Sequence, residues 1–154
     1  FGDQNEWEVA SGVPHIPFEA LDENYEIDKE AYLKYFRKMH HLFPKCKKMV
    51  MAVRNQIASS HHTLSGLLYD AVEDQLYTTR IYDIEPIVDP MGVGDAFVAA
   101  YIHAHQKWGE KNQYCLDFSL SASAIKNTIP GDQNLVSEEE IINNMTSSGG
   151  RIQR

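Results

Sequence analysis

Cysteine is scarce: Cys46 and Cys115 are the two in 154 residues. That is too few for a disulfide framework or a cysteine-based zinc site, and both read as buried free thiols. Positive charge is also short, with 14 Lys and Arg against 22 Asp and Glu and a net charge of -8. No basic patch of the size a nucleic acid or an anionic membrane needs can be drawn from that balance. No apolar run approaches the roughly 20 residues that span a bilayer. A signal-peptide pattern is missing as well, which makes a cytoplasmic setting the default. There is no G-x-x-x-x-G-K-[ST] string, which excludes a Walker-type NTPase, and no H-E-x-x-H. His103 and His105 are two apart, so a helical metal-hydrolase pair is excluded too. Internal repeats are absent. What remains is ordinarily globular, 43% hydrophobic and 23% charged. One domain of this length can bury a real core.

The most informative stretch is Asp89-Pro-Met-Gly-Val-Gly-Asp-Ala-Phe97. It follows an apolar run, Ile84 to Val88, that reads as the end of a strand, and precedes a helical pattern from Ala96 to Trp108. Glycines at a strand-to-helix turn let successive backbone N–H groups converge on one concave site. The helix behind them adds its own unpaired N–H groups and the positive end of its dipole. Such a site suits a phosphate. Asp95 would repel an anion held there, unless its task is to take a proton from a nucleophile attacking a phosphoryl group. The same four residues, Gly-x-Gly-Asp, are equally the pattern of a tight connection with Asp95 as the helix N-cap.

Along the chain, residues 1–24 show no clean period, and Pro14 and Pro17 bracket an extended loop or linker. The acidic stretch Glu19 to Glu30 reads as a solvated approach to a helix. That helix runs from an Asp28 N-cap to about His41, with Tyr32, Phe36, Met39 and Phe43 on one face. Lys48 to Val53 reads as a buried strand, and the polar segment Arg54 to Ser60 as a loop at its C-terminal end, where α/β sheets place ligands. His62–Tyr69 and Gln75–Tyr82 follow as two strands joined by a turn at residues 71–74. Tyr114 to Thr128 is a second helix, rich in Ser119, Ser121, Ala122, Ser123 and Ala124, small residues that suit close helix packing or the approach of a flat ligand. Pro130 and Gly131 stop it, and Ser137 with Glu140 forms a capping box for a last short helix.

The string from Asp89 to Phe97 resembles the C-terminal signature of the ribokinase-like (PfkB) carbohydrate kinases, D-T-x-G-A-G-D-[AST]-F. Asp89, Gly92, Gly94, Asp95, Ala96 and Phe97 match, whereas Pro90 replaces the usual Thr and Val93 the usual Ala. Phe43-Pro44, Val53-Arg54, His62-Thr-Leu-Ser-Gly66 and Ala124-Ile-Lys-Asn-Thr-Ile-Pro-Gly-Asp-Gln-Asn134 are most similar to the 2-keto-3-deoxygluconate (2-dehydro-3-deoxygluconate) kinases. The resemblance implies the C-terminal part of a three-layer α/β/α fold. It further implies a kinase that moves the γ-phosphoryl of ATP to a primary hydroxyl of a sugar acid. Asp95 would be the catalytic base, and the N–H groups of Gly92, Val93 and Gly94 the anion hole. ATP would be met by Arg54, Asn55 and Gln56, where the family's T-L-G-x-x-G loop has glycines that this chain lacks, and by Leu120, Ser123 and Asn127 beside the adenine. Asp89, Met91, Lys126, Ile129 and Gly131 fall where the family often binds a monovalent cation such as K+, mostly through backbone carbonyls. The family's Asn-x-x-Glu motif for Mg2+ precedes a Phe-Gly. Asn5-Glu-Trp-Glu8 follows Phe1-Gly2 instead and is a chance match, so Mg2+ would arrive with ATP.

In that family a long sugar-binding half and its lid precede the signature, whereas 88 residues precede Asp89 here. The chain therefore reads as a C-terminal piece, inactive alone and homo-oligomeric in its full-length form. Its parts are a lead-in over 1–24, a nucleotide-binding portion over 25–146 and a flexible tail over 147–154. The alternatives are another sugar kinase of the same family, such as a fructokinase, or a nucleotide-binding fragment without activity of its own.

Overall fold

The computed structural model describes residues 1–16 and 26–147. Two helices come first, α1 (Gln4–Ser11) and α2 (Lys29–Leu42), followed by strands β1 (Lys48–Ala58), β2 (His61–Asp70), β3 (Gln75–Thr78) and β4 (Tyr82–Ile84). Helices α3 (Val93–Trp108), α4 (Asn112–Lys126) and α5 (Glu138–Thr146) complete the order. The strands form one antiparallel sheet with β2 at its centre. β1 pairs along one side of β2, from Lys48↔Asp70 to Gln56↔His62. β3 and β4 share the other side, against Leu67–Asp70 and His62–Leu64 respectively.

Because side chains alternate across a strand, the sheet presents two apolar faces. Val50, Leu64, Leu68 and Ile84 meet Phe97, Leu116, Phe118 and Ile141 from α3, α4 and α5. Met49, Met51, Val53, Leu67 and Tyr69 meet Tyr32, Phe36 and Met39 from α2, with Trp7 of α1 packed alongside. The result is a three-layer α/β/α arrangement, as expected. Among the described residues no helix is long and apolar enough to cross a membrane.

Several expectations need correcting. Residues 4–11 are helical, not irregular, because Asp3 and Glu6 form a reciprocal capping box and Gly12 closes the helix at φ 69°. Pro17 and most of the acidic stretch lie outside the described residues, as does the tail beyond Ser147. Phe43 leaves the face of α2: it is the C-cap, and its ring is half in solvent. Arg54, Asn55 and Gln56 form no loop. They continue β1, paired with Leu64, Thr63 and His62. Their exposed–buried–exposed alternation is a strand signal that the buried polar Asn55 conceals. The strand before the signature ends at Ile84, since Pro86 has no N–H to donate and the amides of Val88 and Asp89 turn to the carbonyl of Asn127.

His62 lies on the face shared with Leu64 and Leu68, 3% exposed, and its Nε2 has no hydrogen-bond partner among the described residues. Burial, then the charges of Arg54 and His61, lowers its pKa from 6.5 to about 4. The unfolded chain therefore binds a proton at His62 that the folded chain refuses. The stability held by the neutral ring is complete above pH 6.5 and is lost as the pH falls from there towards 4. We expect the melting temperature to decline across that window in calorimetric scans, and His62→Gln to flatten the decline.

Candidate phosphate-binding turn

The signature sits at the end of the sheet where β1 turns into β2: the amide of Ile87 donates to the carbonyl of Ser60 at 2.9 Å. Gly92 is the N-cap of α3, left-handed at φ 74°, and offers no side-chain cap. Its carbonyl accepts the amide of Ala96 at 2.9 Å, which makes Val93, Gly94 and Asp95 the first turn of the helix. The amides of that turn have no partner within the helix and point out along its axis. Asp95 is therefore not the N-cap. Its carboxylate is exposed and takes no hydrogen bond among the described residues. The capping alternative left open by the sequence fails here, and an acid remains free beside a row of amides.

The two glycines have different reasons. A Cβ on Gly92 would overlap the carbonyl oxygen of Asp132, on top of the strain of a left-handed backbone. None of the described residues crowds Gly94. Its missing side chain leaves open space in front of the helix start instead. Gly92→Ala should cost about 1–3 kcal/mol in backbone strain alone. It should also push the turn away from Asp132, weakening any anion bound there. Urea unfolding together with phosphate titration of the variant measures both effects.

Three residues hold the turn from behind. Asp89 accepts the amide of Met91 at 2.9 Å and that of Gly131 at 2.8 Å, clipping the signature to the segment after α4. These two bonds, in that order, and the charge of Lys126 hold its carboxyl below the ordinary carboxylate range. Ser123 donates its hydroxyl to the carbonyl of Val93 at 3.0 Å. Asn127 donates its side-chain amide to the carbonyl of Ser123 at 3.0 Å, while its own carbonyl accepts from Val88 and Asp89. Ser119 and Ser121 likewise spend their hydroxyls on carbonyls of Phe97 and Ile141. The small-residue stripe of α4 is thus close helix packing.

Gly92, Val93, Gly94 and Asp95 therefore lie together at the helix start, with Asp89, Ser123 and Asn127 immediately behind. Arg54 and Gln56 are exposed on the sheet face that α3 and α4 cover. Asn55 is directed to the opposite face and is buried. Leu120 is fully buried in the core beneath α3, so its side chain offers no free surface to a ligand. Asp132, whose carbonyl sets the need for Gly92, escaped the sequence reading because nothing but the folded contact reveals it.

No protein-family model matches the sequence, and no curated protein matches it. Solved structures do. The crystal structure of 2-dehydro-3-deoxygluconokinase from Thermotoga maritima superposes with a TM-score of 0.78 at 28% identity, over 94% of this chain and 40% of that one. A PfkB family carbohydrate kinase from Listeria grayi matches at 0.69 and 28%, over 82% and 37%. Arabidopsis thaliana ribokinase, solved with ribose and ATP, matches in fold at 0.66 and 20%, over 95% and 40%. The chain has the ribokinase-like (PfkB) carbohydrate kinase fold. The resemblance carried by Asp89 to Phe97 is borne out, and the chain spans about two fifths of the length of these ribokinase-like structures.

The cation site that the ribokinase-like resemblance implies does not fit the residues present. Both oxygens of Asp89 already accept backbone amides, and the Lys126 ammonium, buried completely, donates to the carbonyl of Ile129 at 2.9 Å. The position offered to a free ion thus has a protein cation bonded to one of its carbonyls. Met91 keeps its amide on Asp89 and is 64% exposed. At the other end of the chain, Glu8 of the Asn5–Glu8 string is engaged by His15.

Proposed function

We propose that this chain is the nucleotide-binding part, residues 25–146, of an ATP-dependent kinase that phosphorylates a primary hydroxyl of 2-keto-3-deoxygluconate. The observation that carries the reading is the exposed Asp95 in the first turn of a helix whose leading amides take no side-chain cap among the described residues. The likeness to 2-dehydro-3-deoxygluconokinase supports the choice of sugar.

In this mechanism the amides of Gly92, Val93 and Gly94 hold the γ-phosphoryl oxygens, aided by the positive end of α3. Asp95 takes the proton of the sugar hydroxyl as its oxygen bonds to the γ-phosphorus. The bond from that phosphorus to the bridging oxygen breaks, and ADP leaves with that oxygen. Little covalent chemistry is asked of the protein, so charge stabilisation and positioning supply most of the rate. Mg2+ arriving with ATP would neutralise phosphate charge. Ser123 and Asn127 act by holding the turn, and Arg54 and Gln56 are the side chains free to reach phosphate from the sheet.

A cytoplasmic setting and a homo-oligomeric complete protein belong to the same proposal. The test is a phosphorylation assay of the complete gene product with ATP and 2-keto-3-deoxygluconate, fructose or ribose. Preference for the keto-deoxy acid is the expected result. Preference for fructose would make the protein a fructokinase, and ATP binding without transfer to any of the three would leave a nucleotide-binding module.

A further inference from the structure

Lys126 ends α4 and is 0% exposed, an unusual place for an ammonium group. Burying such a charge is unfavourable unless oxygen atoms replace the water it loses. The turn behind it supplies them. The last carbonyls of a helix carry partial negative charge. The chain then doubles back through Ile129, whose carbonyl accepts the Lys126 ammonium at 2.9 Å. Asp89, which clips Met91 to Gly131, feels the Lys126 charge. A carboxylate and the Ile129 carbonyl behind the proposed anion-binding turn favour a cation, and here it is covalently attached.

We propose that Lys126 takes the place of a bound monovalent cation: its ammonium neutralises the corner formed by Asp89 and the Ile129 carbonyl, so the turn needs no free K+ or Na+. The bond from Lys126 to the Ile129 carbonyl is the geometric basis of this role. Its effect on nucleotide affinity rests on the kinase reading given above. Lys126 is in these terms a positioning residue, acting on phosphate through the turn it fixes.

The experiment is thermal melting of the chain without nucleotide, in KCl, NaCl or tetramethylammonium chloride at equal ionic strength. The wild-type melting temperature should be the same in all three salts. Lys126→Met, which keeps the chain length and removes the charge, should melt lower in tetramethylammonium chloride and recover in KCl. A wild-type chain that gains stability in KCl over tetramethylammonium chloride would overturn the proposal. So would a Lys126→Met chain that is equally weakened, or unfolded, in all three salts, because Lys126 would then be a packing residue only. Calorimetric ATP titration in the same salts gives the second readout. The variant should bind at least about tenfold more weakly in tetramethylammonium chloride and regain affinity in KCl, as expected for an uncompensated buried site. If neither protein binds ATP while the melting pattern holds, the kinase reading fails and the role of Lys126 stands.

Discussion

Replacing Asp95 by Asn should lower kcat about 10²–10⁴-fold, the usual cost of losing a positioned general base. The fold should not notice. Asp95 caps nothing, accepts no hydrogen bond among the described residues and lies on the surface. Stability should stay within about 0.5 kcal/mol, as for other surface changes away from special contacts. ATP affinity should hold or improve slightly, because a negative charge is removed beside the phosphates. The measurement is steady-state kinetics of the complete gene product together with urea unfolding of both proteins. A variant with near-normal kcat would reduce Asp95 to a surface acid and end the proposed mechanism.

A still larger effect is expected from comparing the 154 residues alone with the complete gene product. The chain matches about 40% of the Thermotoga kinase, and none of its own residues has been placed against an acceptor sugar. Our proposal puts that acceptor site in the portion of the relatives without a counterpart here. Holding the hydroxyl in near-attack geometry can be worth roughly 7–11 kcal/mol of the barrier. The 154-residue chain should therefore bind ATP weakly and release no ADP in the presence of 2-keto-3-deoxygluconate. Calorimetric titration and a coupled ADP-release assay read the two quantities. Turnover by the short chain at the rate of the complete product would place the sugar site within these residues.

The parts of the fold that could be read from the sequence are those in which one physical rule acts over a short span. Asp28 before Tyr32, Phe36 and Met39 announces α2, and Ser137 with Glu140 announces α5, since capping and helical periodicity are local. The hairpin of β2 and β3 is legible from its apolar runs and the turn between them. The apolar run to Val88 overstates β4, which ends at Ile84, because Val88 is 56% exposed and apolarity alone says nothing of a sheet partner. The apolar run ends at Val53 while β1 continues to Ala58, because buried Asn55 interrupts the run while exposed Arg54 and Gln56 preserve the alternation. In the site, Gly92 to Asp95 could be found because an anion-binding turn needs consecutive residues. The resemblance groups Asp89, Lys126, Ile129 and Gly131, but the bonds of Lys126 to Ile129 and of Gly131 to Asp89 are not legible from spacing, since one depends on a buried charge and the other joins residues 42 apart.

The way the turn is tied has a mechanical consequence. The Ser123 hydroxyl, the Asn127 carbonyl and the Gly131 amide all belong to α4 or the segment just beyond it, and all three grip the signature. Among the described residues, a backbone bond from Ile87, just ahead of the signature, to Ser60 ties it to the strands. The turn is consequently cargo of the helical layer. If that layer slides or tilts over the sheet, the amides and Asp95 travel with it as one piece, keeping their mutual spacing, while Arg54 and Gln56 stay behind on β1. Any such shear would alter the distance between the two halves of the proposed phosphate grip without disturbing the geometry of either.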